Sequence, residues 1–108
     1  MNSQDRLEQL RLDLAAFAAA RNWEHFHTPK NLSMALIVEA AELVEHFQWA
    51  TPEESQHPDS DKLEEIRMEL ADIFIYLIRI ADMLKLDLLQ AATEKMAINQ
   101  QRFPPTAS

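Results

Sequence analysis

The chain has no glycine in 108 residues, and that absence restricts its folds more than any other feature. A sheet protein of this size needs glycine at hairpins and bulges, where a Cβ is disfavoured. An all-α fold is therefore expected. The length suits one domain, with a core from about residue 4 to 103 and a loose tail, "PPTAS", at 104–108. There are no cysteines, which excludes disulfides, thiolate zinc sites and thiol catalysis. No apolar run reaches the ~18 residues of a membrane span, and residues 1–10 are polar. A cytoplasmic protein without a membrane partner is the expectation.

Periodicity divides the chain into four helical segments. The first runs from about Gln4 to Ala20, with Leu7, Leu10, Leu14 and Phe17 in one row. The connector "RNWEHFHTPKN" follows. Thr28 and Pro29 read as N-cap and first helical position of a second helix reaching about Trp49. "TPEE" repeats that start as a short turn, with Glu54 placed for a capping box on Thr51. Asp61 with Glu64 is positioned to cap a third helix, about Lys62 to Leu84. Asp87 caps a fourth, about Leu88 to Arg102, which Phe103-Pro104-Pro105 stops. The third helix is apolar nearly all round, with Ile66, Leu70, Ile73, Leu77, Ile80 and Leu84 in one row. Such a helix belongs at the centre of a bundle, so the expected protomer is four-helix-bundle-like.

Carboxylates interrupt this apolar pattern. Glu39 lies in the row of Leu36, Leu43 and Phe47, with Glu42 one turn on and no Lys or Arg nearby in sequence. Glu69 and Asp72 repeat that spacing in the third helix. A thirty-residue offset superposes Leu36, Leu43 and Phe47 on Ile66, Ile73 and Leu77, and the two acid pairs on each other. At ~100° per residue, the first acid of each pair sits about 60° from the centre of the apolar row and the second about 120°. Packed antiparallel through these rows, the helices bring four carboxylates to one seam.

Like charges converging in a low-dielectric site need protonation, basic partners or a hard cation. Oxygen-only ligands favour Mg²⁺, with Mn²⁺ a possible substitute, over zinc. Acids three apart are ordinary helix surface, so either pair alone carries little. The matched placement of both pairs points to a divalent metal site at Glu39, Glu42, Glu69 and Asp72. Glu45, Glu53, Glu54, Glu64 and Glu65 read as solvated.

With 18 acidic and 10 basic residues the formal net charge is −8. That disfavours a nucleic-acid backbone, which needs a basic face, but permits a small polyanion bridged by a cation. Lys95, Asn99 and Arg102 share one face of the fourth helix, a row suited to a phosphate chain or to plain solvation. Lys30 and Asn31 are within reach of an anion at the start of the second helix. Trp23 and Trp49 sit where rings line a cleft or pack a core. Tyr76 lies one turn beyond Asp72 on the same side. Of the four histidines, only His27, near Trp23, is placed for ligand contact. A small core that includes carboxylates also favours self-association.

"NWEHFHTPKNLSMALIVEAAELVEHFQW", "MELADIFIYLIRIADMLKLDL" and "KMAINQQRFP", in that order, resemble the all-α nucleoside triphosphate pyrophosphohydrolases of the MazG-like superfamily, most of all its dCTP pyrophosphatase branch. The likeness covers about Phe17 to Pro104. The family pattern E-E-x-x-E, then E-x-x-D, is met by Glu39, Glu42, Glu69 and Asp72, while Val38 departs from it at the first acid. The resemblance implies that these four acids hold Mg²⁺, that Trp23 and Trp49 border the base pocket, and that Tyr76 lies nearby. It further implies that Lys95, Asn99 and Arg102 meet the phosphates, in a homodimer or homotetramer with sites between subunits. The implied reaction converts a nucleoside triphosphate, dCTP or a relative, to monophosphate and pyrophosphate. Water activated by the cation attacks the α-phosphorus, and Glu42, with Glu39, is a candidate for the catalytic role of base. The competing reading is a non-enzymatic helical interaction module holding a structural cation.

Overall fold

The computed structural model describes residues 2–106 and forms helices but no strand among them. The helices are α1 (Ser3–Ala20), α2 (Pro29–Glu45), the single turn α3 (Pro52–Ser55), α4 (Ser60–Met83) and α5 (Leu88–Arg102). The all-α expectation therefore holds. Residues 104–106 of the expected tail carry no helix, and residues 107 and 108 lie outside the described residues. No helix among the described residues is long and apolar enough to cross a membrane.

Side-chain caps set where the helices begin. Asn2, Thr28, Asp59 and Asp87 each accept a hydrogen bond from the backbone N–H three residues on, at 2.8–3.2 Å. Thr51 and Glu54 form the reciprocal capping box, at 3.0 and 3.1 Å. The cap of α4 is Asp59 rather than Asp61. Asp59 has the extended backbone of an N-cap, and its carboxylate reaches the Lys62 N–H at 2.8 Å. Asp61 instead lies in the first turn, where its charge complements the helix dipole. α2 stops at Glu45, short of Trp49, because the ladder tightens to turns: Phe47 N–H bonds Val44 and Ala50 N–H bonds Phe47.

Without glycine, two helix ends use a non-glycine residue in the left-handed region, Asn22 and Lys85, both at φ 56°. Trp23 N–H reaches back to the Ala18 carbonyl at 3.0 Å, and Leu86 N–H to Ala81 at 2.8 Å, the 6→1 closure of a Schellman motif. The first of these turns aims the Trp23–His27 segment.

α2 and α4 pack along their length as the principal pair, and α1 lies against part of α4. The pair is antiparallel. His46 approaches Glu65, Glu39 approaches Glu69 and Asp72, and His27 lies within the field of Arg79, so residue numbers fall along α4 as they rise along α2. Ala18, Leu32, Ile66, Ile78 and Ala81 form the buried apolar centre.

Much of the expected central row of α4 is uncovered: Ile66 is buried, yet Leu70, Leu77 and Leu84 are exposed. α2 and α1 cover only one side of a helix that is apolar on both. α2 likewise exposes Met34, Ile37 and Val44, and α5 contains no buried residue and has no extensive helix partner. The radius of gyration is 17.0 Å, against about 13 Å for a compact domain of ~100 residues.

Candidate active site

Glu39 of α2 and Glu69 and Asp72 of α4 each place a carboxylate oxygen within 4.8 Å of the others. The i, i+3 spacing on α4 puts Glu69 and Asp72 on one side of the helix, and antiparallel packing lays Glu39 over them. Glu42 is exposed and stands one step outside this triad, but its carboxyl shares a hydrogen bond with Glu69.

The electrostatics follow from four acids with no cation among them. Glu69 is raised to about 7, first by its hydrogen bond with Glu42, then by burial and by the charges of Glu42 and Glu39. Glu39 is raised by burial and by the Glu42 charge. Tyr76 is raised by burial and by the charges of Glu39 and Asp72, so its hydroxyl stays protonated as a donor beside the acids. An all-oxygen set held close under mutual repulsion fits a hard divalent ion such as Mg²⁺. Glu39, Glu69 and Asp72 are the residues placed to share it. Glu45, Glu53, Glu54, Glu64 and Glu65 are exposed, and Glu64 pairs with Arg67 at 2.9 Å on the surface.

Trp23 and His27 lie together in the connector, ring centroids 5.8 Å apart, with Phe17 edge-on to Trp23 at 5.6 Å. The Asn31 amide is engaged locally, donating to the Phe26 carbonyl at 3.0 Å and so fixing the connector. Lys30 is exposed at the start of α2. Trp49 stands 89% exposed. Lys95 and Arg102 are exposed on α5, Arg102 lying over the Phe103 ring at 5.1 Å, and Asn99 is half-buried. The chain thus gathers Glu39, Glu69, Asp72, Glu42 and Tyr76. It does not pack the α5 row against the α2–α4 seam.

One buried polar group was not singled out from sequence. Arg79 of α4 is only 4% exposed and pairs with Asp82 at 3.3 Å, while Arg11 of α1 reaches the other Asp82 oxygen at 2.7 Å. The signal was present in "FIYLIRIADM", where a cation interrupts an apolar run just as Glu39 does in α2.

Fold and site together define the class: an all-α protein in which two facing helices collect acids into a single seam. The chain belongs to the MazG-like family, which it matches over residues 34–106. It is 43% identical over 106 residues to bovine dCTP pyrophosphatase 1, covering 95% of this chain and 62% of that protein. It is also 43% identical over 100 residues to human dCTP pyrophosphatase 1, covering 91% and 59%. The chain therefore spans about three fifths of the length of these relatives. A crystal structure of a pyrophosphatase from Archaeoglobus fulgidus superposes with a TM-score of 0.82 at 34% identity, covering 93% of this chain and 94% of that one.

Proposed function

We propose that this protein hydrolyses (deoxy)nucleoside triphosphates, dCTP or related and modified dNTPs, to the monophosphate and pyrophosphate in a Mg²⁺-dependent reaction, as one nucleotide-hydrolysing domain. The observation that carries this reading is the triad of Glu39, Glu69 and Asp72 with oxygens within 4.8 Å. The similarity to proteins named dCTP pyrophosphatase 1 supports the substrate class. Bound among the acids, Mg²⁺ would neutralise the triphosphate and acidify a water molecule. Mn²⁺ is a chemically suitable substitute.

Each residue then has a role. Glu39, Glu69 and Asp72 would serve as the ligands, with Glu69 giving up the proton that its hydrogen bond with Glu42 and its burial favour. Glu42, beside Glu69 but outside the triad, is free to join the set or to accept a proton from the attacking water. Tyr76 donates from the wall of the site, while Trp23 and His27 border the base. In a chain of net charge −8, such a cation would offset the repulsion between a triphosphate and four carboxylates.

We further propose that the site is completed by a second copy of the chain, in a homodimer or homotetramer. The uncovered apolar faces of α2 and α4 and the unpacked α5 support this reading. A partner's α5 would bring Lys95, Asn99 and Arg102 to the phosphates, and Trp49, exposed in one chain, would face the base across the interface. Lys30 remains a candidate for phosphate contact, and Asn31 acts through the connector it fixes.

Incubating the protein with dCTP and Mg²⁺ in water carrying a heavy oxygen isotope tests the reaction. Expected products are dCMP bearing the label and unlabelled pyrophosphate, with no turnover in chelator. Release of orthophosphate, or no turnover of any nucleotide, would refute it.

A further inference from the structure

The acid seam is built from α2 and α4. The last turn of α1 enters the other side of the site, through side chains that the core does not use. Phe17 lies edge-to-face with Trp23, ring centroids 5.6 Å apart and ring planes crossing at 67°. The Arg21 guanidinium carbon sits 3.5 Å from the centre of the Phe17 ring, and its Nη1 donates to the Phe17 carbonyl at 3.1 Å. Phe17 is thus held between a cation and an indole.

Both rings are surface groups. Phe17 is 47% exposed and Trp23 42%, whereas Ala18 takes the core position of that turn at 1%. The contact therefore adds little to the core; what it restricts is rotation. The Trp23 backbone is already fixed. Its N–H bonds the Ala18 carbonyl at 3.0 Å across left-handed Asn22, and its own carbonyl accepts from the Phe26 and His27 N–H groups, each at 2.9 Å. Only the side-chain torsions of the indole are left free. An edge-to-face aromatic pair opposes their rotation, and the Arg21 cation over the Phe17 ring holds Phe17 in turn. The His27 ring is tilted against the indole at 5.8 Å, and the remaining indole surface is open.

We infer that Phe17 is a positioning residue, pinned by Arg21, that holds the Trp23 indole in one orientation so that its open surface receives the base of the nucleotide. This inference rests on the nucleotide reading of the site, although its first readout does not need a nucleotide. A free indole would surrender its rotamer freedom when a base stacked on it, whereas an indole already held has surrendered that freedom on folding. The benefit falls on binding. The chemical step takes place at the acid seam, on other helices, and does not depend on the indole angle.

The test is side-chain NMR on the full chain, with the Trp23 indole assigned from the Trp23→Phe spectrum. Without nucleotide, the parent protein should show cross-relaxation between Phe17 ring and Trp23 indole protons, and an indole as rigid as its backbone. Phe17→Leu keeps the apolar bulk and removes the ring; it should shift the indole signals and increase their fast motion. Phe17→Tyr keeps the ring and should restore the parent pattern. Arg21→Gln, at an exposed position, should loosen the same indole more weakly, and it carries the test if Phe17→Leu does not fold. With dCTP and Mg²⁺, Phe17→Leu should raise KM roughly threefold to tenfold, the cost of ordering one large side chain, with kcat changed far less. A parent spectrum without the Phe17–Trp23 cross-relaxation would overturn the inference whether or not the variants fold. So would variants whose indole is as rigid as the parent's, or a loosened indole with KM unchanged. A parent protein with the expected ring pair but no nucleotide turnover would instead contradict the proposed reaction and the ligand contact, leaving the Phe17–Trp23 pairing intact.

Discussion

If the acid seam is a metal site, Mg²⁺ must displace a proton to enter it. Glu69 is poised at about 7 because Glu42 shares its proton and Glu39 adds its charge. With that midpoint, Glu69 is about nine-tenths protonated at pH 6, half at pH 7 and about one-tenth at pH 8. Mg²⁺ titrated into the metal-free chain should therefore release about 0.9, 0.5 and 0.1 proton at these three pH values from this group alone. The apparent affinity should be about tenfold weaker at pH 6 than at pH 8, since the metal competes with the proton. Calorimetry in two buffers of different ionisation enthalpy measures both quantities.

The same shift affects stability. Glu69 in the folded chain keeps its proton to about 7, whereas in the unfolded chain it ionises near 4.5. Between those values the folded state binds more protons, so the metal-free protein should lose stability as pH rises from 4.5 through 7. This is opposite to a salt-bridged carboxylate. Mg²⁺ should restore the loss. Proton release that is negligible at pH 6, or metal-free stability that rises across this window, would refute the reasoning.

Other perturbations address the scaffold. Asp82→Asn leaves Arg79 buried with its charge unpaired and should cost roughly 3 kcal/mol in urea denaturation, whereas Arg11→Ala, at the exposed end of the same network, should cost under about 1 kcal/mol. Equal effects would show that the buried pair is not the element that matters. Lys85→Gly relieves a left-handed residue at the end of α4 and should stabilise the chain by about 0.5 kcal/mol after the entropy cost of glycine is deducted. A fall in the thermal midpoint would contradict that backbone argument.

The helices were legible in the sequence because their signals are local. Thr28-Pro29 and Thr51-Pro52 mark starts, Asp87 caps α5 and Pro104-Pro105 follows its end, and each acts over three or four residues. The cap of α4 was misplaced by two residues because Asp59 and Asp61 both have the right chemistry, and only backbone conformation separates them. The pairing of Glu39 with Glu69 and Asp72 followed from the thirty-residue offset, since matched apolar rows align matched acids. The exposure of Leu70, Leu77 and Leu84 was not legible, because apolar periodicity marks a face that seeks cover and not the chain that supplies it. Arg79 escaped notice for a different reason: its partners, Asp82 and Met83, lie on its own helix, but its burial depends on the helices that pack over α4.

The claim beneath all of this is that Glu39, Glu69 and Asp72 hold one hard divalent cation between two helices. Mn²⁺ soaked with dCTP into a crystal of the protein, and located by its anomalous scattering, tests it most directly. The account predicts a peak among those three carboxylates, with Glu42 beside it. A peak elsewhere, with the three acids apart or turned to solvent, would contradict it.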